Sequence, residues 1–429
     1  MQTTSTAASA KHIADVLKHF TAWLEAYGET SWDHQSFFAG EFGRRAKALY
    51  YRNQFIGTPA VAPMIFCEAF LPAARRFFHR RIRLPIADAH YAMGFAFLHE
   101  ATGNHFYFER AVHFLHVLME TRCPNFENIG WGYPFDWITQ KGTIPAGTPL
   151  ITTTPYCFEA FLQMQELQPR EEWKNILESV IRHVCDDIKD FKFSETANTC
   201  SYTPFDNGGV VNASAYRAFT LTAAAHFLEK PELFAVAERN LNFVLETQKP
   251  DGSWPYAVDG TRDFVDHFHT CFVMKALAKI YALTENESCF HALARGIVYY
   301  RKNLFGDDGM PKPFAKAPRL TVYCCELYDC AECINLCLLL RKQFPQLETN
   351  LRMVVDEILE RWVKRDGSFR SRKLMFGWDN VPMHRWGQSQ MFRALAFYLR
   401  EMIAENSAAE KSAMNGEFSS RHLSPVTRH

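Results

Sequence analysis

Apolar and polar positions along the chain recur at helical spacing, not in the alternation of strands. Between Glu171 and Asp187, the residues Trp173, Ile176, Leu177, Val180, Ile181 and Val184 make one stripe, with Glu172, Lys174, Asn175, Glu178 and Arg182 away from it. Such a helix has one wet face and is expected on an outer layer. From Phe268 to Leu283 the only charges are Lys275 and Lys279, so the segment is apolar almost all round. It predicts a helix enclosed by other helices.

The two kinds of helix alternate, and the boundary between them repeats as Asp251-Gly252-Ser253-Trp254, Asp308-Gly309-Met310-Pro311 and Asp366-Gly367-Ser368-Phe369. A period of nearly sixty residues fits two helices and two connections, with Asp-Gly supplying the turn. Inner helices are expected near 86–102, 152–167, 210–228, 264–284, 321–340 and 383–400. Outer partners are expected near 105–120, 171–187, 232–246, 288–302 and 347–363, and the helix 11–27 is the natural twelfth member. Closing first element on last predicts an all-α fold, an (α/α)6 toroid of six helical hairpins in a single domain over 11–403, followed by a flexible tail over 404–429. An open superhelix of the same hairpins is the structural alternative.

Composition narrows the function. Lys+Arg and Asp+Glu number 47 each, so no global basic field draws in nucleic acid. No run of about 18 apolar residues predicts a transmembrane helix, and the Ser/Thr/Ala-rich start lacks the basic and apolar regions of a signal peptide. The twelve Cys lie mostly within apolar helical patterns, which predicts buried free thiols and a cytoplasmic location. His267-x-His269-x-Cys271 and Cys330-x-x-Cys333 have ligand-like spacing, but the second pair reads as helical, so no metal and no cofactor is expected. The basic run Arg75-Arg76-Phe-Phe-His-Arg80-Arg81-Ile-Arg83 reads as a solvated helix end.

Aromatic residues make up 14% of the chain, and they gather with polar groups just before the expected inner helices. In a closed ring those loops share one mouth. Trp131-Gly-Tyr133-Pro-Phe135-Asp136-Trp137 sets flat rings beside a carboxylate, a combination suited to sugar rings and their hydroxyls. Trp254-Pro-Tyr256 precedes Asp266-His267-Phe268-His269, where Asp266 and His269 stand three apart on a helix and make the best acid/base pair in the chain; Asp266 is equally suited to capping that helix. His384-Arg385-Trp386-Gly-Gln388 opens the last inner helix with an anion-holding arginine, a stacking ring and an amide. Tyr323, Glu326 and Asp329 could add to the same mouth, as could Thr153, Thr154 and Tyr156, or Asn207, Asn212 and Tyr216. Asp136, Asp266, His267 and His269 are thus the catalytic candidates. Trp131, Tyr133, Trp254, Tyr256, Tyr323, His384, Arg385, Trp386 and Gln388 are the substrate-binding ones.

Gly-Trp-Gly-Tyr-Pro-Phe-Asp-Trp, Gln248-Lys-Pro-Asp-Gly-Ser-Trp-Pro-Tyr and Phe-Val-Asp-His-Phe-His-Thr together resemble the six-hairpin carbohydrate-active superfamily. More narrowly, they resemble VpsJ-type bacterial proteins linked to polysaccharide biosynthesis. The resemblance spans roughly residues 11–400. It implies a glycan, or a saccharide precursor that is free or lipid-linked, processed by hydrolysis, elimination or epimerisation, with exopolysaccharide synthesis machinery as a partner. A non-catalytic saccharide-binding subunit is the alternative. So is a lipid-binding toroid, because Gln248-x-x-x-Gly252-x-Trp254 also resembles half of the QW repeat of triterpene cyclases, and the β subunits of protein prenyltransferases share the toroid.

Overall fold

The computed structural model describes residues 2–318 and 321–421, with side chains placed for 9–318 and 321–409. The chain opens with α1 (Gln2–Tyr27), the short α2 (Ser36–Ala39), α3 (Glu41–Arg52), α4 (Gln54–Phe70) and the short α5 (Arg75–Phe78). Then follow α6 (Pro85–Thr102), α7 (His105–Glu120), α8 (Thr154–Leu167), α9 (Glu171–Arg182), α10 (Val211–Phe227) and α11 (Leu233–Glu246). The last are α12 (His267–Thr284), α13 (Glu287–Asn303), α14 (Leu327–Leu340), α15 (Leu347–Glu357) and α16 (Ser389–Arg421).

Among the described residues, α6, α8, α10, α12, α14 and α16 form the inner ring, each packed on the next and α16 packed back on α6. Helices α7, α9, α11, α13 and α15 lie outside their predecessors, and α1 packs outside α16. The fold is the expected (α/α)6 toroid, with every expected inner and outer helix found, although α14 and α16 start later than expected, at Leu327 and Ser389, and α15 ends earlier, at Glu357. Helix α16 runs on through 404–421, the first part of the segment expected to be a tail; residues 422–429 lie outside the described ones. Ring closure depends on a close approach at Gly94 of α6, where a Cβ would stand 2.6 Å from the Phe392 ring of α16.

The repeated Asp-Gly turns share one construction. Asp251 and Asp366 each accept hydrogen bonds through Oδ1 from the backbone N–H and hydroxyl of the serine two residues on, and Asp308 Oδ1 accepts from the Met310 N–H. Gly252, Gly309 and Gly367 all have positive φ, which an L side chain resists. Four small antiparallel sheets decorate the ring. They are β1 (Trp137–Thr139) with β2 (Gly142–Ile144), β3 (Asp190–Lys192) with β4 (Asn198–Cys200), β5 (Val265–Asp266) with β6 (Phe314–Lys316), and β7 (Tyr323–Glu326), β8 (Arg372–Leu374) and β9 (Trp378–Asp379) in that order. The last two sheets stitch together the loops that enter α12, α14 and α16.

One region has no counterpart in the hairpin pattern. Residues 28–84, holding α2 to α5, leave the ring after α1 and return to it at α6. This excursion is bolted on by charge: Arg75 donates to Asp379 Oδ2 at 2.7 Å with both side chains fully buried, and Arg372 donates to Glu68 Oε1 at 2.6 Å. Arg75 is therefore interior, not solvated, because its charge is matched by an equally buried carboxylate. Arg81 donates to the carbonyls of Tyr27 and Thr30, and Arg83 pairs with Glu29, so most of the basic run is committed.

Candidate active site

The three aromatic–polar segments meet at one end of the ring. The Arg385 guanidinium lies 4.4 Å from the centre of the Tyr133 ring, joining the third segment to the first. The Phe268 and Trp386 rings lie 5.4 Å apart, joining the second to the third. Trp386 stacks on Tyr328 at 4.6 Å and 13°, and Tyr256 packs on His269 at 4.6 Å. Tyr133, Tyr202, Tyr256, Phe268, His269 and Trp386 are all half-buried, with one part held in the ring and one part reachable. Aromatic faces and polar tips in such a rim match a saccharide, whose C–H faces stack and whose hydroxyls take hydrogen bonds.

Asp266 both caps α12 and meets the His269 imidazole. As the residue before α12, its Oδ1 accepts the His269 backbone N–H at 2.9 Å, and its Oδ2 lies 2.6 Å from His269 Nδ1. The carboxylate is 2% exposed and the imidazole 21%. With Nδ1–H donated to Asp266, the other ring nitrogen, Nε2, is the one able to accept a proton.

Across Phe268 and Trp386 lies a group that sequence reasoning missed. Arg385 donates through Nε and Nη2 to Asp33 Oδ2 and Oδ1 at 2.9 and 2.6 Å, a buried bidentate pair. Burial works to raise the Asp33 carboxyl, but Arg385 and His34 hold it well below the usual range. The ring of His34 lies 3.9 Å from that of Trp386. Burial, with Arg385 and Arg372 nearby, lowers its pKa to about 4, so His34 is neutral near pH 7. Both residues come from the excursion, outside the hairpin repeat; the triplet Trp32-Asp33-His34 was their only signal.

The kinked turn His384–Gln388 presents Arg385 and Trp386 here. Gly387 has φ +130°, and a Cβ on it would meet Leu327 at 3.0 Å, so the loop lies directly on the start of α14. Trp386 Nε1 donates to Glu326 Oε2 at 3.1 Å, and Glu326 also pairs with Arg372, whose guanidinium sits 4.6 Å over the Tyr323 ring. Deeper in the ring Lys275 pairs with Glu332, and the Tyr156 and Tyr216 hydroxyls are 2.6 Å apart. Asp329, on the first turn of α14, is fully buried with no hydrogen-bond partner for either carboxyl oxygen among the described residues. Burial, together with Glu326 and Asp266, pushes its carboxyl well above the usual range.

Other candidates are placed elsewhere. Trp131 and Trp254 are buried braces whose Nε1 atoms donate to the Leu118 and Val244 carbonyls of outer helices. His267 faces outward into the wall, with Nε2 2.9 Å from the Tyr300 hydroxyl and Nδ1 3.1 Å from the Leu304 carbonyl oxygen. His384 is held between the Tyr91 hydroxyl and the Gly28 carbonyl, and Gln388 bonds both the N–H and C=O of Phe369. Asp136 is at the exposed rim, accepting from Arg44 at 2.7 Å and from the Ala146 N–H at 3.0 Å. Among the described residues, no three His, Cys, Asp or Glu side chains gather as a metal site, and no helix is long and apolar enough to cross a membrane. A cavity of about 460 Å³ opens at the opposite end of the ring between Phe97, Phe219 and Phe397. Glu159 pairs with Lys279 and Arg393 there, and Arg400 with Glu100.

No protein-family model matches the chain, and no curated protein matches it in sequence. Its fold is similar to that of cellobiose 2-epimerase from Bacillus thermoamylovorans, with a TM-score of 0.59 and 10% identity over 75% of this chain and 87% of that one. It is similar to a D-mannose isomerase, with a TM-score of 0.55 and 12% identity over 74% and 87%. A family 88 glycosyl hydrolase from Bacteroides vulgatus gives a TM-score of 0.53 and 11% identity over 75% and 92%. These likenesses show the (α/α)6 toroid fold.

Proposed function

We propose that the chain is a saccharide-processing enzyme that moves a proton at a carbon next to a sugar carbonyl, an epimerisation or isomerisation. His269 Nε2 is the base and Asp266 the group that orients it. The observation carrying this reading is the Asp266–His269 dyad, 2.6 Å between Oδ2 and Nδ1, its carboxylate buried and its imidazole partly exposed in an aromatic rim. The base takes the C–H proton of the open-chain sugar, the electron pair passes to the carbonyl as an enediolate, and the proton returns from His269 to a carbon of that enediolate. Asp266 stabilises the imidazolium between the two steps.

Hydrolysis of a glycoside needs two facing carboxyl groups about 5 to 9.5 Å apart. Most carboxyl groups near this mouth are engaged instead, Asp33 by Arg385, Glu326 by Arg372 and Trp386, Glu332 by Lys275, and Asp136 by Arg44, while the unpaired Asp329 is fully buried. Arg385, itself neutralised by Asp33, is a poor clamp for a uronate, which weighs against elimination. The fold neighbours include an epimerase and an isomerase beside a glycosyl hydrolase, so the choice rests on the dyad. The motif resemblance to VpsJ-type proteins supports a cell-surface polysaccharide precursor as the sugar.

The test is turnover of a panel of reducing mono- and oligosaccharides in deuterated water, read by NMR and mass spectrometry. The expected product carries solvent deuterium on carbon. His269→Gln is expected to lower that exchange by roughly 10² to 10⁴ while leaving sugar affinity nearly unchanged. Glycoside cleavage without carbon-bound deuterium, abolished by Asp136→Asn, would overturn the reading in favour of hydrolysis.

A further inference from the structure

The excursion carries its apolar side outward. Helix α4 exposes Phe55, Phe66 and Phe70, and the Met375-Phe376 tip of the β8–β9 turn extends the surface at Phe70; Phe77 of α5 is exposed as well, and exposure of the five phenylalanines runs from 54% to 90%. Phe66 and Phe70 are 5.0 Å apart and Phe70 and Phe376 6.4 Å, so the patch crosses from the excursion to the ring. From Gln54 to Ala74 the one charge is Glu68, and it points inward to Arg372. The outward face of α4 is thus uncharged, the reverse of an ordinary surface helix.

Charge identifies the occupant. Residues 36–84 hold nine Lys and Arg against two acids, Glu41 and Glu68, in a chain whose total charge is +0. Several of the nine are locked inside, but Arg52, Arg76 and Arg80 are exposed with no acidic partner among the described residues. Arg52 ends α3, two residues before α4 begins, and Arg76 lies 4.7 Å from the Phe77 ring. Exposed phenylalanines on an uncharged helix, flanked by free arginines, are complementary to a surface with anionic headgroups above hydrocarbon. A protein partner would have to supply both a wide apolar face and a surrounding acidic rim.

We propose that the excursion is a peripheral membrane-docking surface for an anionic bilayer, with α4 lying in the interface plane and the arginines on the headgroups. Helix α4 stands between the bilayer and the mouth, since its Glu68 meets Arg372, which meets Glu326 beside Trp386. The mouth is then held near the membrane, where a lipid-linked saccharide presents its sugar. That last consequence rests on the function proposed above; the docking itself does not.

The experiment is co-sedimentation of the full chain with phosphatidylcholine vesicles and with vesicles doped with phosphatidylglycerol. Binding is expected with the anionic vesicles and is expected to weaken as salt rises. Phe66→Ser with Phe70→Ser should lower affinity about tenfold or more, and Arg76→Gln with Arg80→Gln should lower both affinity and its salt dependence. Near-ultraviolet circular dichroism checks that these variants keep the fold. Absence of binding to anionic vesicles, or binding untouched by both double variants, would overturn the proposal. So would a concentration-dependent dimer abolished by the phenylalanine pair without vesicle binding, which would assign the patch to a second copy. No substrate enters the assay, so its failure is separable from failure of the proton-transfer reading.

Discussion

Helices α10 and α4 are each 17 residues long, apolar, and carry one charge, yet they live in opposite surroundings. Nearly every residue of α10 is buried, and its Arg217 is satisfied inside by Asp190, Asn240 and the carbonyls of Val184, Cys185 and Ile188. Helix α4 buries only Gly57 and Met64 and leaves its phenylalanines in solvent. Apolar composition is therefore not what puts a helix inside. Neighbours on both sides do, and the ring provides them for α10 while α4 has neighbours on one side alone.

The sharpest way to break this comparison is to remove an aromatic side chain from each region. Phe392→Ala in the ring empties a site packed by Phe20, Tyr91 and Phe95 and is expected to cost about 3 to 5 kcal/mol in urea unfolding. Phe66→Ser is expected to stay within about 0.5 kcal/mol. A large loss from Phe66→Ser would mean that α4 is structural after all.

Next in size is the bolt between the regions. Asp33→Ala leaves Arg385 buried and unpaired, with an expected cost of about 3 kcal/mol or more. Amide exchange should quicken in α2 to α4 and leave α10 protected, whereas a uniform change would show that the excursion and the ring unfold as one unit.

The smallest expected effect is on pH. Burial lowers both His34 and His384 to about 4, and His384 contacts the carbonyl of Gly28 where the excursion leaves the ring. Each binds a proton in the unfolded chain near 6.5 and in the folded chain only near 4. The stability each contributes is thus complete above about pH 6.5 and is lost as pH falls through 4, by roughly 3 kcal/mol or less for each. Loosening should begin at this seam, and His384→Gln should flatten the acid limb of a pH–stability curve.

Much of the ring was legible in the sequence because its signals are local. Helical periodicity and an Asp-Gly turn are written within a few residues, and they recur. The Asp266–His269 pair was legible for the same reason, since a helix cap and the residue three further on set it. The excursion was not legible: Pro59 and Pro63, residues that argue against a helix, lie inside α4, no repeat copies it, and its apolar run has no polar stripe to indicate a surface. Trp131 and Trp254 show another limit, since the same residue type in the same kind of loop serves as a brace there and as part of the rim at Trp386. Whether an indole faces a sugar or a neighbouring helix depends on what the ring brings against it.

By itself, then, the sequence determined the twelve helices of the ring, their wet and dry faces, the turns between them and the Asp266–His269 contact, all products of backbone periodicity and short-range hydrogen bonding. Tertiary structure decided which carboxylate meets which cation, as with Arg385 and Asp33 across 352 residues, and which apolar faces stay uncovered. Those outcomes depend on ring closure, which joins segments whose separation along the chain leaves no local trace of their meeting.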